Sequence, residues 1–205
     1  MRIAELLELM GHLSIGNDNI TPTEQAIFLQ YLNLAHLELY QETANFNQDL
    51  LIKEELACEE GATSVKLSRT PYLISAVYRG NSPLSRLSIG EDTNRGVSSV
   101  SAYSVRKDTI HFVSSQTSAV PITVWYVPQP SPLTEATDEA DIPYPIAYHP
   151  VLADGGLYYL FQEEGGFKNT QKELEAKKRW EIGKSRLLSY LYSSSGQTFS
   201  TFSNV

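Results

Sequence analysis

The chain holds a single cysteine, Cys58, among its 205 residues. One thiol excludes an intrachain disulfide and any zinc site built from several cysteines. Long apolar runs are missing as well: nowhere do about 18 apolar residues follow one another, so no segment reads as a membrane-spanning helix. The first residues, MRIAELLELMGHL, carry Glu5 and Glu8 inside their apolar periodicity, unlike a secretory signal peptide. A protein made in the cytoplasm is expected.

Residues for chemistry are equally scarce. The four histidines are His12, His36, His111 and His149, and none stands at HExxH or another metal-binding spacing. His36 falls in a helical pattern and His111 in a strand pattern, both as structural side chains. His149 precedes Pro150, where its ring is placed to cap backbone N–H groups or to pack. Cys58 is followed by Glu59 and Glu60, surroundings that raise a thiol's pKa and make it a poor nucleophile. Glu135, Asp138, Glu139 and Asp141 cluster without the regular spacing, central glycine and closing glutamate of a calcium loop. They read as a solvated acidic linker. No GxSxG, GxxxxGK[ST] or post-strand GxGxxG is present. Neither catalytic residues, metal ligands nor a cofactor site is expected.

Charge is unevenly spread. The net charge is −8. Residues 1–60 hold 11 of the 24 acids against only Arg2 and Lys53, whereas residues 168–186 hold seven bases against Glu173, Glu175 and Glu181. The spacing predicts i,i+4 pairs Glu173–Lys177 and Glu175–Arg179 on a helix. It also leaves an acidic end and a basic end, Lys177, Lys178 and Arg179 among its residues, suited to meet in different copies. The basic stretch carries one aromatic, Trp180, on its apolar stripe, so nucleic-acid base readout is not expected.

Apolar periodicity divides the chain. Residues 3–12 and 22–42 repeat at helical spacing, the second opened by Thr21-Pro22-Thr23-Glu24, a capping box with proline at the first helical position. From residue 50 to 127 short segments rich in β-branched and aromatic residues alternate with turn formers. They predict an antiparallel sandwich or barrel-like domain, with residues 90–99 as a mobile loop. Ile122–Val127 is apolar on both faces, placing Trp125 and Tyr126 either inside the sandwich or on an exposed contact or sugar platform. Helix returns over residues 150–164, where Gly155 and Gly156 permit close packing, and over 167–192. The expected fold is α+β. Residues 1–45 and 143–193 form a four-helix bundle, 46–130 a β insert, 131–142 the acidic linker and 194–205 an extended C-terminal arm.

That element order, the strand Ile122-Thr123-Val124-Trp125-Tyr126-Val127-Pro128 and the helix approach running from Asp141-Ile142-Pro143 to Tyr148-His149 resemble the head–tail connector (adaptor) proteins of tailed bacteriophages. The resemblance covers most of residues 1–193. It implies a structural, non-enzymatic virion protein made in the bacterial host cytoplasm. It further implies a homo-oligomeric ring, commonly twelvefold, that sits under the portal protein, meets a tail or nozzle protein below and lets double-stranded DNA pass. On that reading Lys177, Lys178, Arg179 and Trp125 are candidates for the subunit interface. Phe199, Phe202, Asn204 and Val205 in the tail are candidates for binding the portal or a neighbouring subunit. A tail- or fibre-associated β-protein recognising carbohydrate through Trp125 and Tyr126 is the competing expectation, and an intracellular hydrolase with an unusual site a third.

Overall fold

In the computed structural model, residues 1–16, 19–87, 102–113, 119–163 and 166–194 are described. The chain divides into two compact units, residues 1–48 with 130–205, and residues 49–129.

The first unit is helical. Helix α1 (Ile3–Ile15) ends on Gly16, whose positive φ of 70° lets its N–H turn back to the His12 carbonyl at 3.0 Å. Helix α2 (Pro22–Thr43) starts as its sequence dictates: Glu24 accepts the Thr21 N–H at 2.8 Å while the Thr21 hydroxyl accepts the Glu24 N–H at 3.3 Å. Helices α3 (His149–Gln162) and α4 (Thr170–Ser194) follow the sheet-bearing unit in sequence. Their packing runs chiefly through α3, which touches each of the other three helices. Two adjacent glycines make this possible. A Cβ on Gly155 would lie 2.8 Å from both the Ala35 methyl and the Trp180 ring, and one on Gly156 2.8 Å from the Met10 methyl. On α4, Gly183 gives Val151 the same room. The close packing expected of Gly155-Gly156 is therefore observed. The core gathers Leu6, Met10, Phe28, Leu32, Leu157 and Trp180, all fully buried.

The acidic stretch is held in place rather than spanning a gap as a linker. Asn33 of α2 clamps its backbone: the side-chain oxygen accepts the Leu133 N–H at 2.7 Å and the amide donates to the Leu133 carbonyl at 3.0 Å. Asn47 likewise donates to the Pro143 carbonyl at 2.8 Å. Leu133, Ile142 and Tyr144 are thereby buried in the helical core, and Glu139 pairs with the Met1 ammonium. Between these anchors the stretch is solvated, with Thr134, Glu135, Ala136, Asp138 and Asp141 exposed.

The second unit contains two four-stranded sheets. One has the order β1 (Ile52–Leu56), β8 (Ile122–Pro128), β3 (Pro71–Arg79) and β4 (Ser82–Pro83). The other has the order β2 (Ser64–Lys66), β7 (Thr109–Phe112), β6 (Ala102–Arg106) and β5 (Ser85–Arg86). Val65, Val77, Ile110, Phe112, Val124 and Tyr126 join both sheets in one core. Each sheet keeps two edges, so the barrel-like alternative is not what forms. Nor is the pairing wholly antiparallel, because β5 runs parallel to β6. Within the described residues β5 is only two residues long. The predicted loop at 90–99 lies outside them.

Candidate functional site

Lysine 184 organises the most strongly charged interior of the helical unit. Periodicity puts it beside Trp180 on the inner side of α4, and its side chain keeps only 8% exposure. Its ammonium donates to Glu38 at 2.6 Å and Glu42 at 3.0 Å on α2, with Glu181 3.4 Å away on its own helix. It also lies 5.0 Å from the centre of the Trp180 ring. A buried ammonium is stable only when its lost hydration is replaced, and the carboxylates do that. Burial alone would push the Glu38 carboxyl up, but the Lys184 ammonium and the Tyr159 hydroxyl, which donates to it, outweigh burial and hold it low. Burial and the Glu38 charge push the Tyr159 hydroxyl up. Burial disfavours the Lys184 ammonium, yet its carboxylate partners raise its pKa overall. The Trp180 indole N–H is close enough to Glu38 to favour its charge but makes no hydrogen bond of proper geometry to any described residue.

Beside this cluster, α2 and α4 enclose a shallow groove of about 310 Å³ lined by Glu42, Glu181, Lys184, Leu188, Ser189 and Tyr192. Two carboxylates, Glu42 and Glu181, and the Lys184 ammonium are the charged groups of its lining. Among the described residues, no three His, Cys, Asp or Glu side chains stand together so as to hold a metal ion. None of the described helices is long and apolar enough to cross a membrane.

The cluster fixes one prediction. Lys184→Met is expected to cost about 2 kcal/mol, because three carboxylates then face one another without their cation. That is below the cost of breaking a fully buried pair, since Glu38 and Glu42 keep 30% and 37% exposure. Urea unfolding at pH 7 measures it. A loss below about 0.5 kcal/mol, the level of a surface pair, would show the cluster to be ordinary surface charge.

The predicted helix pairs do not form. Arg179 reaches instead to Asp154 of α3 at 2.6 Å, and Lys177 lies over the Tyr158 ring, 5.7 Å from its centre. For Arg179 the cross-helix partner wins because Asp154 is half-buried and a charged neighbour relieves its desolvation, whereas Glu175 is exposed to water where it stands. Burial still leaves the Asp154 carboxyl raised, with Arg179 offsetting part of it. Lys172 donates to the carbonyls of Leu13 and Ser14 at 3.3 and 2.7 Å, completing the C-terminus of α1. Lys178 alone of the three proposed interface cations is exposed with no partner among the described residues.

In the sheet unit Trp125 is half-buried and pairs across the sheet with Lys53 and Ala76. Tyr126 points into the core, fully buried, and its hydroxyl donates to Glu54 at 2.7 Å. A two-ring sugar platform is thus not present: neighbouring strand residues face opposite sides, and one side is the interior. Cys58 is buried, and that burial, more than the charge of its neighbour Glu59, pushes its thiol up. The His149 ring is fully buried, with Nε2 2.9 Å from the Tyr144 carbonyl and Nδ1 3.1 Å from that of Met1. Of the two roles read from its position, packing is the one that forms, and its nitrogens face carbonyls instead of helix N–H groups. Phe199, Phe202, Asn204 and Val205 lie outside the described residues.

Sequence reasoning missed Glu38 and Glu42 as partners of Lys184, and Tyr159 as the donor to Glu38. The signal available was Lys184 standing on the buried stripe, one turn from Trp180, where an unpaired lysine is untenable.

Compared with models of known protein families, residues 1–193 match the one described as SU10 adaptor protein. No curated protein matches the chain.

Proposed function

Because the chain belongs to the SU10 adaptor protein family, we propose that this structural phage virion protein is the head-to-tail connector that closes into a ring beneath the portal. The observation that carries the reading is the family match across both units and all four helices, from residue 1 to residue 193. Two physical features support it. The helical unit offers unlike surfaces, acidic around α2 and basic along α4, as a head-to-tail contact between identical subunits requires. The net charge of −8 suits a lumen that repels phosphate, so that double-stranded DNA slides past instead of adhering.

On this reading the portal binds above and a tail or nozzle protein below, and the ring is twelvefold. Phe199, Phe202, Asn204 and Val205 form an arm that anchors in the portal or in an adjacent subunit, its two phenyl rings serving as the apolar anchors of an otherwise polar segment. Sedimentation of the protein alone and with a portal protein tests the assembly. A ring-sized complex with the portal is expected, and a chain that stays monomeric in both would overturn the reading. Removal of residues 195–205 should lower connector occupancy in particles by about tenfold, the loss of about 1.4 kcal/mol per subunit contact. Particles that keep full occupancy and remain DNA-tight would leave the arm without this role.

A further inference from the structure

The second helix is apolar on two sides. Its core face carries Phe28, Leu32, Ala35 and Leu39, all buried. On the other side Gln30, Leu34, Leu37 and Gln41 follow one another at steps of three and four, the spacing of a seam that receives another helix, and Ile27 at its N-terminal end is partly packed against the core. No charge interrupts that seam. Leu34 and Leu37, adjacent on it, keep 43% and 42% of their surface exposed. A helix serving only one core would place charged side chains there.

A complementary surface exists on α4. Leu174, Lys178, Ile182, Arg186 and Tyr190 stand four residues apart, a row that forms a ridge on a helix, and all five are exposed. The row alternates apolar and basic. Neither Lys178 nor Arg186 has an ion-pair partner among the described residues. The α2 side is charged the other way: Glu38 and Glu42, with Glu181 of α4, surround the single ammonium of Lys184, leaving a net −2, and Glu24 lies nearly three turns from Leu34 on the same helix.

We infer that the outer seam of α2 receives the basic-apolar row of α4 from a second copy of this chain. The inference rests on the ring reading above and gives that ring its contact. Apolar side chains at steps of four on the row meet the Leu34–Leu37 pair, while Lys178 and Arg186 approach the carboxylate cluster and Glu24. A two-fold pairing of α2 with α2 is disfavoured, because it brings the surplus acid of both copies together. Each copy carries one seam and one row on different helices, so the contact is heterologous and repeats from copy to copy.

Cross-linking tests it with the full chain in a Cys58→Ser background. The double variant Leu37→Cys/Ile182→Cys, treated with a short bis-maleimide at low ionic strength, is expected to give a ladder beyond the dimer, and neither single variant should. Adding Lys178→Glu and Arg186→Glu should reduce the ladder by at least about tenfold with the fold unchanged by circular dichroism. Dimers from Leu37→Cys alone, as abundant as those of the double variant, would mean a two-fold α2 contact and overturn the inference. The absence of a ladder would overturn it too. If sedimentation with the portal still shows ring-sized species in that case, the ring reading stands and only its contact is wrong.

Discussion

Replacing Gly155 with valine is expected to destabilise the helical unit by about 3 kcal/mol or more, the largest effect of any single substitution considered. The cause is geometric. A Cβ at this position already sits 2.8 Å from the Ala35 Cβ and 2.8 Å from two carbons of the Trp180 ring. None of these is the free end of a flexible chain: Ala35 is fixed to the α2 backbone, and Trp180 is fully buried with nowhere to swing. Valine adds two further carbons, so α3 must move away from both α2 and α4 and give up dispersion contacts along each. Gly155→Ala separates the contributions. It gains about 1 kcal/mol of helix propensity but keeps the Cβ clash, so its net cost should be smaller and still unfavourable. Gly166→Ala is the control, since a Cβ there meets nothing within 4 Å. Chemical denaturation followed at helix and near-ultraviolet signals decides the matter. A Gly155→Val protein as stable as the wild type would mean that α3 does not approach its neighbours this closely.

The helices were legible because each carries its own boundary chemistry. Thr21-Pro22-Thr23-Glu24 fixes where α2 begins through local hydrogen bonds alone, and Gly155-Gly156 in an apolar run announces a close crossing before any partner is known. The partners themselves are long-range facts. Asp154 and Arg179 are 25 residues apart and Glu38 and Lys184 are 146 apart, so no spacing rule reaches them, and the local i,i+4 pairs that the rule offered proved weaker than burial. The sheets show the same limit. Alternation located most strands to within a few residues, yet it carries no record of which neighbours pair. Nothing in the alternation marks β5 as a parallel neighbour of β6. The acidic segment is solvated as its composition says, with Glu135, Asp138 and Asp141 exposed, but composition does not show that three apolar side chains, Leu133, Ile142 and Tyr144, and two asparagines on the other side of the interface anchor it. Of the surfaces proposed for assembly, Lys178 was named from charge. Leu34 and Leu37 carry no such mark, because sequence periodicity does not say which apolar stripe of a two-sided helix turns inward.

Acidification from pH 6.5 to pH 4 is expected to remove about 3 kcal/mol of stability through His36 alone. The ring is buried between the edges of Tyr40 and Tyr144, with centroid distances of 6.0 and 5.9 Å. The Tyr144 hydroxyl donates to the His36 carbonyl at 3.3 Å and lies 3.4 Å from Nδ1, so the neighbours described there supply no negative charge at neutral pH. Burial disfavours the imidazolium and lowers the pKa from 6.5 to about 4, a backbone hydrogen bond to Ser131 opposing only part of this. The sign follows from proton counting. Between those two values the unfolded chain binds a proton that the folded chain does not, so stability rises with pH across the window and is lost as pH falls through it. Glu38 works in a lower window: its depressed pKa contributes stability above the ordinary carboxylate value and loses it only as pH drops below that value. Urea midpoints at closely spaced pH values therefore separate the two groups. His36→Gln, which cannot titrate, should flatten the profile between pH 6.5 and 4 while leaving the steeper fall at lower pH in place. Parallel profiles for wild type and variant across that window would mean that the ring is protonated in the fold, and that the junction of α2 with Tyr144 is open to water.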